Sequence, residues 1–279
     1  MQTAPAPAMP PYDIDSPYPL SPDVIAAFRR DGFVKLKDVF DREVLAWFGD
    51  QITAQTIALN TETRPLEERS TYDRAFLQVM NLWEFGGAPR DFVFGRRLAR
   101  IAAELLGTEG VRLYHDQSLY KEPGGGITPA HADQYYWPLS NDCSVTAWVP
   151  LQAVPREMGP LAFYAGSQNA ELGRDLPISD ESEARITAAM EAQGFPIVDQ
   201  PFDLGEVSFH RGWTFHKAGA NVSDRPRSVM TVIYMDRDVR LAEPTNNFQQ
   251  ADWEKWAPGA ELGQVIDTPL NPVLWERAS

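Results

Sequence analysis

From about residue 111 to residue 236 the chain is cut into short apolar runs by turn-forming residues, and this pattern constrains its fold more than any other feature. The runs cover 111–122, 144–154, 159–165, 205–210, 214–220 and 227–236. Between them lie Gly124-Gly125-Gly126, Pro155-Arg156-Glu157 and the stretch Asn221-Val222-Ser223-Asp224-Arg225-Pro226. In the first run Val111, Leu113, His115, Gln117 and Leu119 share one parity, which predicts a strand with one coherent face. Ahead of this region the period is helical. Ser21-Pro22-Asp23 starts a helix running to about Arg30, with a hydroxyl N-cap, a proline at the first position and an acid at the positive helix end. Asp41 caps a second helix with a Val44, Leu45, Phe48, Ile52, Ile57 stripe, and a third spans 91–106, stopped by Gly107. One more helix, 180–192, interrupts the strands. Short strands after a helical region predict a mainly β protein with flanking helices, a sandwich or jelly-roll core.

Prolines at 5, 7, 10, 11, 17 and 19 deny residues 1–20 regular hydrogen bonding, so this segment is expected to be a flexible arm. Residues 21–279 are expected to form a single domain: helices over 21–107, a β core over 111–239 and a C-terminal wrap over 240–279. Twenty-five Lys+Arg against 39 Asp+Glu leave a formal charge of −14, unsuited to nucleic acid or an anionic membrane. One cysteine, Cys143, excludes an internal disulfide and a multi-cysteine zinc site. No apolar run is long enough to span a bilayer, and the opening residues lack the pattern of a secretory signal. The expectation is a cytoplasmic protein, monomeric or homodimeric.

All four histidines, His115, His131, His210 and His216, fall in the strand-rich half. In His131-Ala132-Asp133 an imidazole and a carboxylate two apart on a strand would share a face and could hold one metal ion. With 21 Asp and four His, such a triplet arises by chance about 0.3 times, so alone it reads more readily as a surface pair after a Gly-rich turn. A third ligand on the same face would complete the facial set that non-haem Fe(II) oxygenases use. His210 and His216 both qualify. His216 is preferred because the 221–226 turn would make it antiparallel to the strand starting at Arg227, with Ala220 opposite Arg227 and His216 opposite Thr231. Arg227 would then lie on the His216 face about 13 Å away, suited to grip the far carboxylate of a chelated dicarboxylate. A solvated arginine beside Arg225 is the alternative.

These residues, with Thr146-Ala147-Trp148-Val149-Pro150-Leu151, Met158-Gly159-Pro160-Leu161, Ala165-Gly166-Ser167 and Phe209 through Arg227, resemble the phytanoyl-CoA dioxygenase family over about 21–275. The resemblance implies a double-stranded β-helix (jelly-roll, cupin-like) core and an Fe(II)- and 2-oxoglutarate-dependent dioxygenase. It would oxidise, by default hydroxylate, an unactivated C–H of a small molecule using molecular oxygen. It implies His131, Asp133 and His216 as iron ligands, Arg227 as anchor of the 2-oxoglutarate distal carboxylate, and Trp148 and Gln117 as co-substrate contacts. Lys121 and Gln78 are further pocket candidates. Substrate contacts are expected from Gln134, Tyr135, Tyr136 and Trp137, and from Met80, Asn81 and Trp83. Three positions depart from the family pattern: Ala130 for a frequent tryptophan, Ala218 for a serine that would also bind the co-substrate, and Gln168 for a histidine. The aromatic pocket and acidic chain favour a specialised metabolite over an acyl-CoA, and Arg96, Arg97 and Arg100 read as a solvated helix face. A jelly-roll binding protein, or a cupin-like isomerase or hydrolase without 2-oxoglutarate, is the competing reading, though neither needs Arg227.

Overall fold

The computed structural model describes residues 10–278. Seven helices appear: α1 (Pro22–Asp31), α2 (Arg42–Leu59), α3 (Thr71–Ala75), α4 (Gly87–Val93), α5 (Arg96–Leu106), α6 (Asp180–Ala192) and α7 (Asn247–Trp256). Ser21 caps α1 as predicted, its hydroxyl accepting from the Val24 N–H. Asp41 occupies the N-cap of α2 without a side-chain bond, and Ile57 points to solvent, so the stripe ends at Ile52. The helix expected over 91–106 is two helices. The chain breaks at Phe94-Gly95, where Gly95 packs against the Ile14 backbone and a Cβ would crowd it.

Eleven strands are present among the described residues, six of them on the predicted runs: β1 (Phe33–Leu36), β2 (Leu77–Met80), β3 (Gly110–Lys121), β4 (Thr128–His131), β5 (Ser144–Pro150), β6 (Leu161–Tyr164), β7 (Ile197–Asp199), β8 (Val207–Arg211), β9 (His216–Ala218), β10 (Arg227–Asp236) and β11 (Val273–Glu276). They form two sheets. The larger runs β1-β8-β5-β10-β3-β11, with β2 also on β3; the smaller runs β4-β9-β6-β7. All pairings within the named strands are antiparallel. Helices α2, α4 and α5 bury the outer face of the larger sheet through Phe48, Ile52, Phe92 and Ile101 against Val111, Val145 and Val232. The inner faces of the two sheets enclose a cavity of about 520 Å³.

Two expectations about strands are corrected. The shared parity from Val111 to Leu119 fails at a bulge: Leu113 pairs with Tyr234 and His115 with Ile233, leaving Tyr114 as the extra residue. Val111 and Leu113 therefore face the helices, whereas His115, Gln117 and Leu119 face the cavity. The predicted 214–220/227–236 hairpin is also absent. β9 pairs with β4 and β6, β10 pairs with β3 and β5, and residues 219–226 cross from one sheet to the other.

The proline-rich start is docked where it is described. Ile14 is buried, and Arg97 donates to the Ser16 and Val39 carbonyls and to Asp13. This corrects the flexible-arm expectation over 10–20, and residues 1–9 lie outside the described residues. It also corrects Arg97, which is a tether rather than part of a solvated face.

Candidate active site

β4 ends at His131, and Asp133 opens a 3-10 turn, Asp133–Tyr136. Ala132 between them is extended, so the two side chains share a face as their i, i+2 spacing predicts. Across the strand pair, His131 lies opposite His216 with ring centroids 4.2 Å apart. One ligand atom from each of His131, Asp133 and His216 lies within 4.8 Å of the others.

Both rings are oriented by their outer nitrogens. Nδ1 of His131 lies 2.7 Å from the Pro129 carbonyl, and Nδ1 of His216 lies 2.9 Å from the Thr214 carbonyl. A carbonyl can only accept, so each Nδ1 carries the proton and each Nε2 presents a lone pair. Those Nε2 atoms sit 3.5 and 3.6 Å from Oδ1 of Asp133. The other carboxylate oxygen, Oδ2, accepts from the Thr146 hydroxyl at 2.9 Å and from Nε2 of His210 at 3.1 Å. His210 is therefore beside the triad but turned to the far side of the carboxylate, which separates it from His216 as the third ligand.

Burial opposes ionisation of Asp133, but His216, His131 and His210 outweigh it and hold the carboxyl well below its usual range. Burial first, then the neighbouring His131, pushes His216 well below the usual imidazole range. An ionised carboxylate and a neutral imidazole are the protonation states that metal binding requires. Two imidazole nitrogens and one carboxylate oxygen on one side, each fixed by an outer hydrogen bond, fit a divalent transition metal with open positions facing the cavity.

Arg227 begins β10 on the opposite sheet and lines the same cavity. Its side chain is 2% exposed, Nη1 donates to the Gly159 carbonyl, and the guanidinium lies 5.6 Å from the Trp148 ring centroid. Its Nε has no partner, and no salt bridge reaches it among the described residues. Burial pushes it down to about 9, still protonated at neutral pH. A buried cation without an anion is strongly disfavoured, so the site is built for an acidic ligand.

Gln117 also faces the cavity. Its Oε1 accepts from Gln78, which in turn accepts from the Tyr72 hydroxyl, leaving the Gln117 amide N–H groups free. Thr128, which sequence reasoning passed over, has a buried hydroxyl without a partner and pairs with Ala218. The 128–131 stretch opposes only 216–218, so the strand carries a bulge, and parity counting from His131 would point Thr128 away from the cavity it lines.

Not every candidate is brought to the site. Lys121 is buried outside the cavity, its Nζ donating to the Gly126 and Gly219 carbonyls. Asn81 and Trp83 turn away: Asn81 accepts from the Asp116 N–H and Trp83 packs into the helix-side core. Gln134 bonds Ser144, and Tyr135 packs on Phe248 outside the cavity wall. Tyr136, Trp137, Met80 and Gln78 do line it. Ala130 is fully buried under α6, and Gln168 donates to the Arg29 and Arg30 carbonyls, a structural contact.

The chain is 24% identical over 266 residues to the 1-deoxypentalenic acid 11-beta-hydroxylase of Streptomyces arenae, covering 86% of this chain and 89% of that one. It is 23% identical over 283 residues to the ectoine dioxygenase of Sphingopyxis alaskensis, covering 90% and 89%. Among solved structures, the epimerase SnoN from nogalamycin biosynthesis, in complex with Fe3+, alpha ketoglutarate and nogalamycin RO, superposes with a TM-score of 0.74 at 26% identity over 91% of this chain and 98% of that one. The non-heme carbocyclase SnoK shares the fold at a TM-score of 0.75, 24% identity and 92% and 99% coverage. These neighbours place the two-sheet core among double-stranded β-helix oxygenase folds. The phytanoyl-CoA dioxygenase (PhyH) family model matches residues 28–229, and the chain belongs to that family.

Proposed function

We propose that the chain is a non-haem Fe(II)/2-oxoglutarate-dependent dioxygenase that oxidises, and by default hydroxylates, an unactivated C–H bond of a small molecule. The observation that carries this reading is Arg227, buried and without an acidic partner, in the same cavity as the His131, Asp133 and His216 ligand atoms. A jelly-roll binding protein or a cupin-like isomerase or hydrolase does not need an arginine for a distal carboxylate beside a metal site.

In this reading His131, Asp133 and His216 hold the iron. Bound ferrous iron supplies the coupling of oxygen reduction to decarboxylation of 2-oxoglutarate, so that 2-oxoglutarate, O2 and R–H give succinate, CO2 and R–OH. The Pro129 and Thr214 carbonyls keep the two imidazoles in the ligating tautomer, while His210 and Thr146 keep Oδ1 of Asp133 aimed at the metal position. Arg227 binds the distal carboxylate through its planar fork, with Trp148 stacked beside it. Gln117 and Thr128 supply neutral donors, Thr128 filling the place that Ala218 leaves without a hydroxyl. Leu119, Leu161 and Ala218 wall this end with apolar surface and exclude water.

No cradle for a nucleotide phosphate lines the cavity among the described residues, and the acidic chain repels such a group, so a specialised metabolite rather than an acyl-CoA is the substrate of this reading. No helix among the described residues is long and apolar enough to cross a membrane. Residues 21–279 are read as one oxygenase domain, cytoplasmic, and monomeric or homodimeric. The test is a succinate-release screen over candidate metabolites with Fe(II), 2-oxoglutarate and oxygen. Iron-dependent succinate formation is expected; its absence with every substrate, together with no measurable 2-oxoglutarate binding, would overturn the reading.

A further inference from the structure

The chemistry above occupies one end of the cavity and leaves the other unexplained. That second end is closed by α7, whose Phe248, Asp252 and Trp256 line it, and by β3, which contributes His115. His115 is 2% exposed, and its Nδ1 has no hydrogen-bond partner among the described residues. Nδ1 is sealed inside the wall, but the other ring nitrogen, Nε2, is not, and it also makes no hydrogen bond among the described residues, so it is the atom a cavity ligand can reach. Burial pushes this imidazole down to about 3, so at neutral pH it offers one donor and one acceptor.

Asp252 stands on the same wall. Its Oδ2 accepts from the Tyr114 hydroxyl at 2.8 Å, which fixes the carboxyl in place, and its other oxygen has no donor among the described residues. Tyr114 is the extra residue of the β3 bulge, so this bulge delivers both the tether for Asp252 and, next to it, His115. The remaining surface is aromatic: the Trp256 and Trp137 rings lie 5.5 and 6.4 Å from His115, and Phe248 packs edge-on to Tyr136 at 5.5 Å. Lys255, on α7, lies over the Trp256 ring at 4.6 Å, and burial pushes Asp252 up to about 7 against the opposing pull of Tyr114 and Lys255. The wall therefore offers flat apolar faces and two fixed polar groups, neither carrying a full charge at neutral pH.

We propose that this α7 end of the cavity is the substrate subsite, and that it takes an uncharged, ring-bearing molecule whose ring hydroxyls hydrogen-bond to the His115 imidazole and the Asp252 carboxyl. Calling the ligand a substrate rests on the oxygenase reading; the binding itself does not. Isothermal titration calorimetry of the full chain tests it with 2,7-dihydroxynaphthalene as the probe, 2-naphthoate as the anionic analogue and 2-naphthylmethylammonium as the cationic one. The diol is expected to bind at least about ten-fold more tightly than either charged analogue. His115→Phe, which keeps an aromatic ring in place, and Asp252→Leu should each weaken the diol about ten-fold while leaving the binding of 2-oxoglutarate with Mn(II) intact. Ala251→Trp, at an exposed position on the cavity wall, should block the diol without disturbing the core. Tighter binding of a charged analogue, no binding of the diol, or variants that bind it like the wild type would overturn the subsite. If the diol behaves as expected but 2-oxoglutarate with Mn(II) fails to bind the wild type, the oxygenase reading falls and the subsite stands.

Discussion

Arg227 and His210 show how much of this site depends on side chains that are not metal ligands. Arg227 is kept charged in a buried position with only the Gly159 carbonyl and the Trp148 face for company. Arg227→Gln should therefore cost about 2–5 kcal/mol of 2-oxoglutarate binding, measured by titration of the Mn(II)-loaded protein, with little loss of metal affinity. His210 holds the outer oxygen of Asp133. His210→Ala should weaken metal binding about 10–100-fold, read by competition with a chelator, whereas His216→Ala should remove the site. At this scale the sequence was informative through the family pattern, and misleading through parity. Thr128 reaches the cavity through a bulge, which a period of two cannot express. Thr146, which braces Asp133, carries no signal of its own in the sequence because any half-buried strand accepts a threonine.

At the scale of elements, the 219–226 crossover joins the ligand strand β9 to the arginine strand β10. A hairpin and a crossover read alike in sequence, since both are a polar turn between two apolar runs; what decides is which neighbours each strand finds, and that is long-range. The crossover is pinned by Gly159, whose φ is +66° and whose added Cβ would lie 2.1 Å from the Gly219 carbonyl oxygen. Gly159→Ala should destabilise the protein by at least about 1–2 kcal/mol in urea unfolding, from backbone strain alone. It should also weaken 2-oxoglutarate binding, because the Gly159 carbonyl is the partner of Arg227.

On the neighbouring strand Lys121 lies directly opposite Arg227, and burial, then that guanidinium, pushes it down to about 6 from 10.5. The unfolded chain thus holds a proton that the folded one lacks between those values, so this group makes stability rise with pH across that window and fall as pH drops toward 6. Lys121→Met should flatten that part of the stability–pH profile, measured by urea midpoints from pH 6 to 10. The break at Gly95 and the docking of residues 10–20 were hidden for a similar reason: Gly95 reads as one weak position in a helical period until Ile14 is seen against it.

Over the whole molecule, the mainly β core, α1, α2 and α6 were legible because each rests on a local period or cap, whereas α3 was not and α4 and α5 read as one helix. The C-terminal segment was not legible either. α7 has aromatic and polar residues on several sides, and its Phe248, Asp252 and Trp256 gain a common direction only from the cavity they close. The proposed metal and co-substrate positions lie between two sheets that must be correctly packed, so occupancy would couple to global stability. At one hundred times the dissociation constant, Mn(II) with 2-oxoglutarate should add about 2.7 kcal/mol. For a domain of this size that is a rise in melting temperature of about 5 °C or more, reversed by a chelator.

The most direct test of the central claim is the visible absorption of the protein under anaerobic conditions as Fe(II) and then 2-oxoglutarate are added. The account predicts a weak charge-transfer band that requires both additions, survives His210→Ala and disappears in His216→Ala. No band in the wild type, or a band lost in His210→Ala and kept in His216→Ala, would contradict it.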